Sequence, residues 1–136
     1  MLSYLLALQM LAALLIAHVL ADYPLQGDFI SRAKNASAPL PGVPWRTILA
    51  SHALIHGGAV WGVVAFFLGV SGVDLRVAIQ AAFIFGIAEF VAHALIDHLK
   101  CTGRFGAGAA AFNFDQLLHF VCKVLWVAVL GAVRWA

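Results

Sequence analysis

Four stretches of this chain are apolar for about the 20 residues that a helix needs to cross a hydrocarbon core. They run from Leu2 to Ala21, Trp45 to Val70, Val73 to Leu99 and Phe112 to Trp135. Within 136 residues they leave little else, so they fix the fold class: all-α, a polytopic membrane protein, predicted as a four-helix transmembrane bundle running up-down-up-down. The whole chain, 1–136, is read as a single integral membrane domain with helices at about 2–21, 45–70, 73–99 and 112–135. Composition agrees, since 64% of residues are hydrophobic and 10% charged. A soluble chain this small would expose large apolar patches to water. The first stretch has no Lys or Arg ahead of it and no small-residue cleavage site, so it is expected to be a retained span.

The connections order the helices. Ser71 and Gly72 leave room only for a tight turn between the second and third stretches, which makes those two antiparallel neighbours. Asp22 to Pro44 is expected to be the longest loop, with Pro39, Pro41 and Pro44 preventing a continuous helix. Lys100 to Ala111 carries Gly103, Gly106 and Gly108, which suggest a mobile segment; it lacks the Lys-Ser/Thr ending of a phosphate-binding P-loop. Arg32, Lys34, Arg46, Lys100 and Arg104 lie in or beside the first and third loops, against Arg76 and Arg134 on the other side. The positive-inside rule then puts those loops in the cytoplasm and both termini outside, in what is expected to be a bacterial inner membrane. Tyr23, Trp45 and Trp135 fall where interfacial aromatics are common. The net charge of +2 without a basic run excludes nucleic acid as a partner, and Cys101 and Cys122 form no metal or redox motif.

Ionisable groups inside a spanning helix are costly unless paired or bound, so each is a functional candidate. Here they are sorted: His18-x-x-x-Asp22, His52-x-x-x-His56, Glu89-x-x-x-His93-x-x-x-Asp97 and Asp115-x-x-x-His119. Residues four apart share a helix face. Each helix therefore offers one polar column, and in an alternating bundle all four columns meet at one depth, in the leaflet beside the first and third loops. Of the six histidines and six acids only Asp28, Asp74 and His98 fall outside the pattern. Bland readings exist for single members: Asp22 as an exposed helix-end residue, and Asp115 as a first-turn acid behind an Asn113 cap with Gln116 in the capping-box position. The full set is not explained that way.

Imidazole and carboxylate donors without thiolate suit a divalent transition metal, zinc or iron or manganese, and the number of donors allows two ions. Metal ligands are expected at His52, His56, His93, His119, Asp97 and Asp115, completed by His18 and Asp22, with Glu89 as general base or bridging ligand. The simplest chemistry is metal-dependent hydrolysis of a lipid-like phosphate or ester at the cytoplasmic interface. Arg32, Lys34, Lys100 and Arg104 are read chiefly as topology-setting, with head-group binding as the other role. Two alternatives remain: a metal-ion or proton transporter, and a small structural or regulatory protein forming a homo-oligomer through Gly58-x-x-x-Gly62.

His18-Val-Leu-Ala-Asp22-Tyr-Pro-Leu-Gln26, His52-Ala-Leu-Ile-His56, His93-Ala-Leu-Ile-Asp97-His-Leu-Lys100 and Asp115-Gln116-Leu-Leu-His119 together resemble the domain-of-unknown-function family 3307, small integral membrane proteins of bacteria and phages. The resemblance covers almost the whole chain and implies Gln26, Lys34, Lys100 and Gln116 as further polar positions of the site, around the metal or at a head group. A looser similarity is to inner-membrane metal-dependent hydrolases.

Overall fold

A computed structural model describes residues 2–135 and contains, among them, five helices: α1 (Tyr4–Asp22), α2 (Gly27–Ala33), α3 (Trp45–Val70), α4 (Leu75–Cys101) and α5 (Gly108–Ala132). Helices α1, α3, α4 and α5 are each long and apolar enough to cross a membrane, which makes this an integral membrane protein in contact with the bilayer. At about 1.5 Å per residue, the 26 residues of α3 and 27 of α4 reach roughly 40 Å. That exceeds a hydrocarbon core of about 30 Å. Their outward faces carry side chains such as Leu8, Ile16, Leu54, Phe66, Phe83, Ile84 and Val91, all exposed.

The helix ends differ from expectation for local reasons. The Ser3 side chain accepts a bond from the Leu6 N–H, and Asp74 accepts from the N–H groups of Arg76 and Val77, so α1 and α4 begin one turn-forming residue after each cap. Helix α5 starts at Gly108, not Phe112, because the run Ala109 to Ala111 is strongly helix-forming. The correction matters for Asp115. It stands two turns inside α5, buried, and the helix-cap explanation for it is removed. The loop between the first two spans contains the unexpected α2: Pro24 precedes it and Pro39, Pro41 and Pro44 follow it, and Asp28 in its first turn and Arg32 in its last favour a short helix. Gly72, at φ +83°, makes the tight turn from α3 to α4 that the sequence required.

Helices α3 and α4 pack closest, and Gly57 and Gly86 permit it. A Cβ on Gly57 would lie 2.7 Å from the Gly86 carbonyl oxygen, whereas one on Gly58 or Gly62 would meet nothing within 4 Å. The Gly58-x-x-x-Gly62 motif therefore faces outward and plays no part in packing this chain on itself. One half of the bundle is filled by Met10 and Leu14 of α1, Val60, Val64 and Leu68 of α3, Ala78 and Ala82 of α4, and Leu130 of α5. The other half is filled by charged and polar side chains.

Candidate metal centre

The last turn of α1, the third and fourth turns of α3, the last third of α4 and the third and fourth turns of α5 meet in that other half. Because each helix carries its polar residues at i, i+4, each turns an aligned column inward. His18, His52, His56, Glu89, His93, Asp97, Asp115 and His119 are all buried, and the Asp22 side chain is 8% exposed.

Asp22 is the hub. Its Oδ1 lies 3.1 Å from His52 Nε2, 3.1 Å from His56 Nε2 and 3.8 Å from His93 Nε2, while the Gln116 amide donates to its Oδ2 at 3.0 Å. The Nε2 atoms of His52 and His93 are 3.2 Å apart. Two nitrogens at that separation make one hydrogen bond only if one lends its lone pair. The rings of His56 and His93 stack with centroids 3.6 Å apart, and His93 stacks on His119 at 4.1 Å, so α3, α4 and α5 are tied by a column of imidazoles. His18 closes the column from α1, 5.1 Å from His56 and 5.0 Å from His119, and its Nε2 is 3.3 Å from Gln116 Oε1.

Next to this lies a second carboxylate pair. His119 Nε2 is 3.7 Å from Asp97 Oδ1 and 3.6 Å from Asp115 Oδ1. The outer oxygens of both acids are held by lysines: Lys34 donates to Asp97 Oδ2 at 2.5 Å and Lys100 to Asp115 Oδ2 at 2.7 Å. The two lysines thus do more than bias topology. Lys34 leaves the loop after α2 and is buried. The remaining predicted residue of the family motif, Gln26, donates to the Asp22 carbonyl at 3.0 Å and fixes the turn between α1 and α2.

Glu89 stands apart from the donor groups. Lys123 donates to its Oε1 at 2.5 Å and Trp126 to its Oε2 at 2.7 Å, and its third neighbour is His93 Nδ1 at 3.6 Å. Lys123 and Trp126 were not anticipated. The signal was present: Lys123 continues the column Asp115, His119 by another four residues, in the middle of an apolar run. Of the three ionisable residues outside the pattern, Asp74 caps α4, His98 stacks on Trp45 with centroids 5.6 Å apart, and Asp28 lines a surface cleft.

Among the described residues, three groups of side chains could hold a metal ion: Asp22 with His52, His56 and His93; His18 with His93 and His119; and Asp97 with Asp115 and His119. Within each, the potential ligand atoms lie within 4.8 Å of one another, and His93 and His119 are each shared by two groups. Tetrahedral zinc at about 2.0–2.1 Å from its ligands spaces them roughly 3.3 Å apart. Four of the separations in the Asp22 group, 3.1, 3.1, 3.2 and 3.8 Å, bracket that value. Among the described residues, buried His56 Nε2, both nitrogens of His119, Asp115 Oδ1, Gln26 Oε1 and the Nδ1 atoms of His18, His52 and His93 have no hydrogen-bond partner, although His56 Nε2 is 3.1 Å from Asp22 Oδ1. Buried polar atoms rarely stay unmatched; a cation in the Asp22 group would take up His56 Nε2, and one in the Asp97 group a His119 nitrogen and Asp115 Oδ1. The residues fit a metal.

Fold and centre together define a helical integral membrane protein with a buried histidine and carboxylate cluster able to hold metal. The chain belongs to the DUF3307 family, proteins of unknown function, whose pattern it matches over residues 10–134. No curated protein and no solved structure matches it, so the looser likeness to metal-dependent hydrolases gains no support from relatives.

Proposed function

We propose that the protein is a metal-dependent membrane hydrolase acting on a lipid-like phosphate or ester at the cytoplasmic interface. The observation that carries the reading is the convergence of Asp22, His52, His56 and His93, whose possible ligand atoms lie within 4.8 Å of one another, beside a cleft of about 250 Å³ lined by Asp22, Gln26, Lys34, Lys100 and Gln116. Asp22 and Gln116 belong to both cluster and cleft, so a substrate entering one reaches the other. A bound divalent ion supplies Lewis acidity and a more acidic water. The chain's own residues hold and orient. Asp22, His52, His56 and His93 would serve as one ligand set and Asp97, Asp115 and His119 as a second, with His18 in a third group that shares His93 and His119 with them. Gln116 fixes Asp22. Glu89, whose oxygens are engaged by Lys123 and Trp126, lies behind His93, 3.6 Å from Nδ1 and beyond hydrogen-bond distance; its negative charge favours a proton on Nδ1 and so leaves Nε2 for the metal, as carboxylates behind ligating histidines do.

The end of the bundle bearing α2 is assigned to the cytoplasm. With Lys34 and Lys100 committed to buried acids, that assignment rests on Arg32, Arg46 and Arg104 against Arg76 and Arg134, all exposed. A transport path is disfavoured by the apolar half of the bundle, where Met10, Leu14, Val64 and Leu68 leave no polar step.

The test is hydrolysis in vesicles. Chelator-stripped protein, reconstituted with phosphatidic acid, a lipid phosphodiester or a carboxylic ester lipid, is expected to release product only after Zn²⁺ or Mn²⁺ is restored, and not as Asp22→Asn. Metal-loaded protein that turns over none of them overturns the hydrolase reading.

A further inference from the structure

The cleft between the end of α1, α2, the end of α4 and the start of α5 is separate from the cluster in its chemistry. Its walls carry two ammonium groups, Lys34 and Lys100, two amides, Gln26 and Gln116, and the Ser31 hydroxyl. An ammonium has three N–H donors. Among the described residues, Lys34 spends one on Asp97 and Lys100 one on Asp115, and both line the cleft with the others. The acids that hold them fix each Nζ from behind, so neither long side chain must be ordered when a ligand arrives. The Asp22 carboxylate is already turned to His52, His56 and Gln116. Asp28, exposed on the α2 side of the same cleft, is the opposing charge. Tyr23 and Phe112, packed edge to face with centroids 6.3 Å apart, form an apolar lip.

We propose that this cleft is a phosphate-binding site in which Lys34 and Lys100 jointly hold one phosphate group, with Gln26 and Ser31 completing its contacts. Two fixed ammonium groups and neutral donors suit a tetrahedral oxyanion better than a carboxylate, which presents only two oxygens. The site selects the phosphate branch of the hydrolase reading, on which it rests for its substrate role. Binding itself requires no metal. The phosphate can come from a lipid head group, whose chains would leave over Tyr23 and Phe112, or from free phosphate.

Binding is measured on chelator-treated full-length protein in detergent, by titration calorimetry with inorganic phosphate, and in nanodiscs with and without phosphatidic acid by ³¹P NMR. Wild type is expected to bind at least one of the two probes; binding of phosphatidic acid alone names the lipid as the source, and binding of neither overturns the proposal. Lys100→Met, at the more exposed lysine, is expected to weaken binding about tenfold or more. Asp28→Asn, on the surface and outside the cluster, is expected to strengthen it several-fold by removing a repulsion. Unchanged affinity in both variants overturns the proposal, and the Asp28 variant reports even where the lysine variant fails to fold. Metal content is determined in parallel on untreated protein. Phosphate binding without metal binding sinks the hydrolase reading and leaves this site standing; metal binding with no phosphate or lipid phosphate bound does the reverse.

Discussion

Glu89 and Asp22 are both carboxylates held inside the bundle, and they are satisfied in opposite ways. Glu89 faces a lysine and an indole N–H, one for each oxygen, and the set is closed. Asp22 faces the Nε2 atoms of four histidines, which bring lone pairs as readily as protons. The difference teaches what separates a structural ion pair from a metal site. Burial and charge are common to both; several histidine nitrogens converge around Asp22, and His119 faces Asp97 and Asp115, whereas each Glu89 oxygen is answered by a donor of its own. A membrane interior sharpens the distinction, because water is scarce there and every donor must be answered by protein, lipid or ion.

The strongest way to break this comparison is to remove the histidine shared by two donor groups. His93→Ala is expected to abolish metal retention, read by elemental analysis of purified protein, while Lys123→Met keeps it. Equal metal loss in both would merge the two regions into one site. Stability should divide the other way. Lys123→Met leaves Glu89 buried and unpaired and is expected to cost about 3–5 kcal/mol in reversible unfolding in detergent. The double variant Lys123→Met with Glu89→Gln should recover most of that, since no buried charge then remains; a double variant no better than the single would show that Lys123 contributes mainly by packing.

A smaller effect lies where the regions touch. Glu89→Gln keeps the side-chain shape and an acceptor oxygen but removes the negative charge behind His93 Nδ1, and metal affinity is expected to fall roughly 10–100-fold, as at other carboxylates behind ligating histidines. Complete metal loss would instead make Glu89 a ligand. Unchanged affinity would sever the link to His93. The smallest effects come from the helix pair that carries the two regions. Gly57→Ala must move Gly86 and is expected to cost about 1–3 kcal/mol. Gly58→Ala, beside open space, should stay within about 0.5 kcal/mol, unless a second copy packs there.

Much of this was legible in the residue order. The length of each apolar run determined the four spans, because backbone groups in lipid must be paired within their own segment. The four-residue spacing determined that His18 shares a face with Asp22, His52 with His56, and Asp115 with His119, because that direction is a property of a single helix. Partners are a different matter. That Lys34 returns from beyond α2 to Asp97, that Lys100 meets Asp115, and that Glu89 is closed by Lys123 and Trp126 depend on how far each helix is rotated and how closely α3 and α4 approach at Gly57 and Gly86. A lysine's long stem can carry its charge inward or out to the interface from the same position. Spacing along one helix says where a side chain points; only the packing of the other helices decides what it finds there.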